Sequence, residues 1–193
     1  MRDAVRLSAC LALIVALGLA APATVQAAST GHANFFLGFK MLDEDDWEPL
    51  ESQPAFGAEV SWGGDDWPIL IATDLLLSAD DDDEFGADVE ARTAELDLGV
   101  RKIWEVDNVR PYVGGGIGLI SAEVEVETPL GDVDDDDNAI GLWAGGGVFW
   151  RLGERFNLGV SGRWSKAEVE FAGADVEAGG LSLGLLLGWG WGD

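Results

Sequence analysis

The chain has 193 residues, and 36 acidic against 11 basic residues give a formal net charge of −25. This balance excludes a nucleic-acid-binding protein, which needs a basic face. Apolar residues make up 48% of the chain, too many for a disordered acidic chain. The single cysteine and single histidine exclude an internal disulfide and a histidine-rich metal site. The length fits one domain.

The first 27 residues have the pattern of a secretory signal peptide. Arg2 and Arg6 precede an apolar run at 11–21, which is too short to cross a bilayer as a helix. The small residues Val25 and Ala27 predict cleavage after Ala27. We therefore expect residues 28–193 to form the exported mature chain as a single domain.

Beyond residue 27, apolar residues alternate with small or polar residues. In 179–191, leucine and tryptophan occupy one phase, and the other phase is mostly glycine and serine. A period of two is that of a β-strand, and no second apolar run is long enough for a membrane-spanning helix. The pattern predicts eight strands, each long enough to cross a membrane, at 33–42, 55–63, 69–79, 91–104, 110–122, 139–151, 156–166 and 179–191.

The predicted strands are joined alternately by short and long connections. The short ones, at 64–68, 105–109 and 152–155, contain turn-forming residues, and the long ones contain 25 of the 36 acids. An even number of strands with this alternation is typical of an outer-membrane barrel. We predict an all-β fold: an eight-stranded antiparallel up-and-down transmembrane β-barrel with short periplasmic turns and long acidic extracellular loops. The predicted loops are 43–54, 80–90, 123–138 and 167–178.

Large aromatic residues gather at the ends of the strands that bear the short turns. Such a cluster is typical of an aromatic girdle at a membrane interface, and it indicates that the apolar phase faces lipid. The predicted girdle is Phe35, Trp62, Trp67, Trp104, Trp150, Phe156, Trp189 and Trp191.

The opposite phase carries glycines, a balanced set of charges and large side chains that are expected in the lumen, namely Phe36, Tyr112, Trp143 and Phe149. Four acids and four bases share this phase, in a chain that is otherwise strongly acidic. Unpaired charges inside a narrow barrel are costly, so we predict a lumenal ion-pair network of Lys40, Glu59, Asp74, Glu95, Asp97, Arg101, Arg151 and Arg163. Within it, Arg101 and Arg163 are expected to pair with Glu59, Asp74 and Asp97.

Two segments carry a family resemblance. The runs LDLGVR at 96–101 and RPYVGGGIG at 110–118 resemble small bacterial outer-membrane β-barrel proteins of the OmpA, OmpX and opacity type. The resemblance covers nearly the whole mature chain. It implies a barrel in the outer membrane of a Gram-negative bacterium, with both termini in the periplasm and long loops outside the cell. We expect outer-membrane lipid and lipopolysaccharide as its partners.

The acidic runs admit three interpretations. One is a solvated, charged surface suited to a saline habitat. Another is weak binding of Ca²⁺ or Mg²⁺, although neither run has EF-hand spacing. The third is docking of a basic protein surface. The candidate cation ligands are Asp80, Asp81, Asp82, Asp83, Asp134, Asp135, Asp136 and Asp137.

The sequence offers no catalytic constellation. The single histidine, His32, precedes the first predicted strand, whereas barrel hydrolases need a base near the outer rim. We expect a monomeric, non-enzymatic barrel without a cofactor, apart from weakly bound Ca²⁺ or Mg²⁺. Eight strands leave an interior that side chains can fill, which favours a plugged lumen that serves envelope structure or surface interaction. The alternative is a narrow cation-selective pore or small-solute transport barrel.

Overall fold

The computed structural model describes residues 30–47, 49–84, 87–128, 131–171 and 174–192. The predicted signal peptide lies outside these ranges. The elements in chain order are β1 Thr30–Met41, α1 Glu44–Trp47, β2 Ser52–Gly63, β3 Leu70–Glu84, β4 Ala87–Ile103, β5 Val109–Thr128, β6 Gly131–Leu152, β7 Phe156–Lys166, β8 Glu168–Phe171, β9 Ala174–Glu177 and β10 Gly180–Trp191.

Eight of these strands close into a barrel. The strand order is β1-β10-β7-β6-β5-β4-β3-β2, every described neighbour is antiparallel, and β1 pairs with β10 to close the wall. The prediction of an eight-stranded antiparallel barrel is confirmed. The additional strands β8 and β9 form a small separate hairpin. No helix within the described ranges is both long and apolar enough to span a membrane.

Alternation along the strands separates lumen from exterior, and glycine makes room for the large lumenal side chains. Phe36 lies opposite Gly57 on one side and Leu186 on the other. At Gly57 a Cβ atom would clash with the Leu75 carbonyl oxygen, so this position requires glycine. The predicted lumenal residues Tyr112 and Phe149 are likewise buried.

The wall is uneven in height. Strands β3 to β6 have 15, 17, 20 and 22 residues, whereas β1, β2, β7 and β10 have 12, 12, 11 and 12. All eight end together at the short-turn end. The four longer strands therefore rise as a sheet beyond the other end, which we call the loop end.

The prediction of loops at 80–90 and 123–138 was wrong, because paired strands of the protruding sheet extend into both segments. Pairing continues to Glu84 opposite Ala87, and to Thr128 opposite Gly131. Acidic residues have low strand propensity, and their density concealed the alternation of valine and alanine between them. The described members of this set, Val89, Ala91, Ala122 and Val124, pack inward at the cap core, which stabilises strands that composition alone would place in loops.

The other two long connections fold over the mouth of the barrel. We call residues 42–51 and 167–179 the cap. A cap core joins three sets of side chains: Leu42, Trp47 and Leu50 from the first segment, Ala167, Val169 and Ala178 from the second, and Ala91, Ile120 and Ala122 from the protruding sheet. Two hydrogen bonds cross between the segments, from Trp47 Nε1 to the Glu177 carbonyl (2.8 Å) and from the Glu177 amide to Asp46 Oδ2 (2.9 Å).

A charged substitution in the cap core should make the cap, but not the barrel, sensitive to protease. Val169 is 1% exposed, so Val169→Asp places a carboxylate in the cap core and should release residues 167–178, while the barrel stays folded. Limited proteolysis with heat-modifiability on gels measures both. The exposed neighbour variant Glu168→Ala is the matched control. Equal cleavage of the two variants would contradict a packed cap.

Candidate functional site

The middle of the lumen holds a cluster of paired charges. Asp74 and Asp97 lie directly opposite each other on β3 and β4. Arg101 Nη2 is 2.7 Å from Asp74 Oδ2, and Arg163 Nη1 is 2.7 Å from Asp97 Oδ2. Arg163 Nη2 also contacts Asp74 Oδ2. The two guanidinium groups thus bridge two adjacent, fully buried carboxylates.

Glu59 joins the cluster through hydroxyl groups. Its Oε2 lies 3.5 Å from Arg101 Nη2 and accepts a hydrogen bond from the Tyr112 hydroxyl at 3.0 Å. Its Oε1 accepts one from Ser161 Oγ at 2.8 Å. The Arg101 guanidinium also stands over the Tyr112 ring at 5.0 Å. The phase of Tyr112 predicts a lumenal side chain, but its hydrogen bond to Glu59 was not predicted. The signal available in the sequence was that Tyr112 shares its phase with the charged residues.

A second polar layer lies between this cluster and the cap. Lys40 Nζ is 2.6 Å from Glu95 Oε1, and both side chains are fully buried. Lys40 also donates to Thr93 Oγ1 (3.0 Å) and to the Ala178 carbonyl (2.9 Å), and Ser165 Oγ donates to Glu95 Oε1 (3.0 Å). Lys40 therefore ties the lumen directly to the cap.

Arg151 lies elsewhere in the lumen. It sits at the turn end of β6, where its Nη2 is 3.3 Å from His32 Nδ1. The structure thus brings seven of the eight predicted network residues into the two layers above and places Arg151 near the turns. Arg110, which sequence reasoning missed, is also buried at this end, with its Nε 3.5 Å from Glu105 Oε1.

The middle of the lumen contains a small cavity. A cavity of about 10 Å³ is lined there by Phe36, Glu59, Leu75, Leu76, Arg163 and Ser182. One water molecule needs roughly that volume. This cavity therefore has room for about one water molecule.

The exterior carries a broad apolar belt. Ile140 is 79% exposed and Leu37 is 68% exposed, values that are unusual for side chains in water and ordinary for side chains in contact with lipid. Seven of the eight predicted girdle residues lie at the turn end of this belt, whereas Phe35 is the sixth of the 12 residues of β1 and lies midway along the wall. Six are exposed, and Trp62 and Trp191 are partly buried.

Above the belt, the outward side of the protruding sheet is acidic. We call its described carboxylates the acidic face: Asp81, Glu90, Glu123, Glu125 and Asp136. Glu123 lies opposite Asp136, and Glu90 lies opposite Glu125. Like charges in such positions destabilise a sheet. Arg92 relieves part of the repulsion, since it lies opposite Glu123 and its Nε donates to Glu90 Oε1 at 2.7 Å.

The pKa values at the acidic face follow from these contacts. The hydrogen bond to Glu90 raises the pKa of Arg92 above its usual value. Partial burial raises the pKa of the Glu123 carboxyl, because Arg92 opposes this effect only in part.

The predicted cation ligands are divided between strands and faces. Asp80 and Asp81 lie on β3 and point to opposite faces, as do Asp135 and Asp136 on β6. Two strands separate β3 from β6, which is about 14 Å. Among the described residues, no group of three or more His, Cys, Asp or Glu side chains is arranged to hold a metal ion. The side chains of Asp82, Asp83 and Asp134 lie outside the described set.

Asp137 joins the protruding sheet to the cap. Its Oδ2 accepts a hydrogen bond from the Glu170 amide at 2.8 Å. This backbone hydrogen bond, with a second from Asn138, lowers the pKa of the Asp137 carboxyl.

The lowered pKa of Asp137 gives its contact a definite pH dependence. A carboxyl whose pKa is lower in the folded state stabilises the fold above its unfolded pKa, and this contribution disappears as pH falls through the folded value. Proteolysis of the cap should therefore accelerate below about pH 4. Asp137→Asn keeps an acceptor but cannot titrate, so its cap should show a weaker acid dependence. The same acid response in both proteins would exclude this contact as the cause.

The lumenal cluster predicts a large stability loss on removal of one partner. Arg163→Met leaves Asp97 and Asp74 short of a buried cation and should cost about 3–5 kcal/mol. Arg92→Met breaks an exposed pair and should cost about 1 kcal/mol or less. Urea unfolding in detergent measures both. The double variant Arg163→Met/Asp97→Asn should recover part of the loss, and additive losses would contradict direct pairing.

Comparisons with known proteins agree with this architecture. The family model described as outer membrane protein beta-barrel domain matches residues 9–187. No curated protein matches the sequence. Among solved structures, Ail, the attachment invasion locus protein of Yersinia pestis, in complex with the heparin analogue sucrose octasulfate, has a TM-score of 0.63 at 13% identity, covering 84% of this chain and 98% of that chain.

Two further structures have the same fold. The N-terminal β-barrel domain of Pseudomonas aeruginosa OprF has a TM-score of 0.51 at 14% identity, with 86% of this chain and 100% of that chain covered. A major outer membrane protein of Thermus thermophilus has a TM-score of 0.56 at 11% identity, with 86% and 99% covered. The family match over most of the chain agrees with the closed barrel and its lipid-facing belt. This chain belongs to the outer membrane protein beta-barrel domain family and is an outer-membrane β-barrel protein of a Gram-negative bacterium.

Proposed function

We propose that the protein is a non-catalytic envelope barrel with a plugged lumen, whose acidic face binds divalent cations that bridge to lipopolysaccharide phosphates. The observation that carries this proposal is the position of the acidic face. It begins directly beyond the apolar belt, on strands that continue out of the membrane. A carboxylate surface at that level faces the anionic headgroups of the outer leaflet.

The level of the acidic face follows from β5. Leu119 belongs to the exposed apolar belt, and the next outward residues are Ser121 and Glu123. At about 3.4 Å per residue, Glu123 lies roughly 14 Å farther along a tilted strand than Leu119. Two anionic surfaces at one level repel each other unless cations lie between them, and Ca²⁺ and Mg²⁺ prefer carboxylate and phosphate oxygens. This arrangement favours shared cations over direct contact.

The plugged lumen is supported by three features in series. The cap covers the loop end, the Lys40–Glu95 pair lies beneath it, and the arginine–carboxylate cluster occupies the middle. Each layer is made of side chains that contact one another. An envelope or surface-interaction role requires no path through these layers.

Charge argues against one ligand seen in a structural neighbour. Ail is described in complex with sucrose octasulfate, a heparin analogue and a polyanion. In this chain the loop end is strongly acidic, so a polyanion would be repelled there unless cations intervened. A basic protein surface remains an alternative partner for the same face.

One observation favours the alternative of a narrow cation-selective pore. Three buried carboxylate oxygens, Asp74 Oδ1, Asp97 Oδ1 and Glu95 Oε2, have no hydrogen-bond partner among the described atoms. Buried polar atoms of this kind are commonly met by water. A file of such waters would be the start of a conducting path, which the tight side-chain packing opposes.

The cation bridge is tested by stability in defined bilayers. Millimolar Ca²⁺ should raise the unfolding temperature in bilayers that contain lipopolysaccharide, and much less in phosphatidylcholine. Glu123→Gln/Glu125→Gln should lose most of that gain, because it removes two carboxylates of the acidic face. The matched control Asp65→Asn/Asp66→Asn removes two carboxylates at the turn end and should keep it. An equal Ca²⁺ effect in all three proteins, or in both lipids, would refute the bridge.

A further inference from the structure

The outer wall has a groove on the side away from the acidic face. Its volume is about 970 Å³, and its lining is almost entirely apolar. The groove spans the four shorter strands and the neighbouring β6, from β6 across β7 and β10 to β1 and β2. Its principal lining residues are Gly146, Val148, Val160, Gly162, Leu183 and Leu185.

Two glycines form the floor of this groove. Gly146 and Gly162 lie directly opposite each other on β6 and β7, in the phase that faces outward. Neither has a side chain, so the backbone of two neighbouring strands lies bare between the leucine and valine side chains on either side. The atoms that line this recess lack contacts unless a flexible apolar chain enters it.

The groove extends from the middle of the wall toward the loop end. On β7, Gly162 is six residues from the girdle residue Phe156 and four residues from Lys166 at the other end of the strand. On β1 and β10 the groove residues also lie nearer the loop end than the girdle, at Leu37, Phe39, Leu183 and Leu185. On β6, however, the lining residue Val148 is only two residues from the girdle residue Trp150. Since the girdle marks the periplasmic interface, the groove runs from the middle of the membrane into the outer leaflet.

A cation and an aromatic ring stand above the groove. Lys166 is the one exposed cation at the loop end among the described residues of β6, β7 and β10, and its ammonium has Glu177 at 3.3 Å and Glu168 at 4.0 Å. Trp164, exposed on the outward face, lies between Gly162 and Lys166 on the same strand. Apolar recess, interfacial aromatic and cation follow one another in the order of a phosphorylated lipid's chain, interface and headgroup.

We propose that this groove holds one acyl chain of lipid A, the membrane anchor of lipopolysaccharide, with its phosphate at Lys166. The inference deepens the proposed function in its choice of lipopolysaccharide as partner, but it uses a different wall of the barrel. It requires no divalent cation. Failure of the acidic face to bind cations would therefore leave the groove intact, and the reverse also holds.

The test fills the groove and compares a matched glycine outside it. A Cβ at Gly162 would meet Leu183 Cδ2 at 3.1 Å and Gly146 O at 4.0 Å, so the flexible leucine can yield to Gly162→Leu. The control is Gly115→Leu on β5. There a Cβ would meet the Trp143 carbonyl oxygen at 3.1 Å and Ala144 Cα at 3.7 Å. Heat-modifiability establishes the fold of each variant, and Leu183→Phe replaces Gly162→Leu if the latter fails to fold.

Native mass spectrometry of the refolded protein with limiting lipid A measures retention. The parent and Gly115→Leu should retain one lipid A, and Gly162→Leu should retain it about tenfold more weakly. Lys166→Gln should weaken retention of diphosphorylated lipid A but not of its dephosphorylated form. A chelator should change neither result.

Four outcomes would overturn the proposal. Equal retention by Gly162→Leu and Gly115→Leu would exclude the groove. Parent protein that retains dephosphorylated lipid A as well as the intact form would exclude the phosphate contact. Equal retention of phosphatidylglycerol would exclude the assignment to lipid A. Retention that disappears with a chelator would assign the lipid to the acidic face.

Discussion

Side chains can fill the interior of an eight-stranded barrel. Charged groups inside it must therefore be paired with other protein groups, because water does not solvate them fully. In this chain the constraint is met by two arginines shared among three carboxylates, and by one lysine held against Glu95. These contacts join β1, β2, β3, β4 and β7. The ion pairs therefore connect strands on opposite sides of the wall, which backbone hydrogen bonds between neighbours cannot do. Glycines opposite the large side chains make this packing possible.

The same wall serves three surroundings. Apolar residues in one phase meet lipid, charged residues in the other phase meet one another, and beyond the belt the outward phase becomes acidic. The inward phase of the protruding sheet stays apolar where the cap covers it, with Ala91 and Ala122 in the cap core. One strand such as β5 passes through all of these environments without a break in its alternation. The contacts with lipid, lumen and headgroups thus all follow from the alternation of side chains between the two faces of each strand.

Much of this architecture could be predicted from the residues. The period of two gives the strands and the face of each side chain, and the aromatic residues identify the turn end. Depth was harder, since the tilt of the strands staggers residues that share a phase. Arg151 has the phase of the lumenal cluster but lies beside His32.

The cap and the protruding sheet could not be read from composition. Runs of aspartate and glutamate indicate loops by propensity, and only tertiary packing of the valines and alanines between them makes strands. Trp47 within an acidic segment was the one available sign of a buried contact, and its indole bond to the Glu177 carbonyl spans 130 residues of sequence. Contacts at such separation leave no local pattern. The partners of Lys40 in the cap were hidden for the same reason.

We propose that the paired charges and the cap close the lumen. Single-channel recording of the refolded protein in planar bilayers tests it most directly, with heat-modifiability on gels to establish that the barrel is folded. A closed lumen predicts a folded barrel that gives no conductance steps at any salt concentration or voltage that the bilayer withstands. Reproducible cation-selective steps from the folded protein would contradict the claim and would make the Lys40–Glu95 layer part of a conducting path.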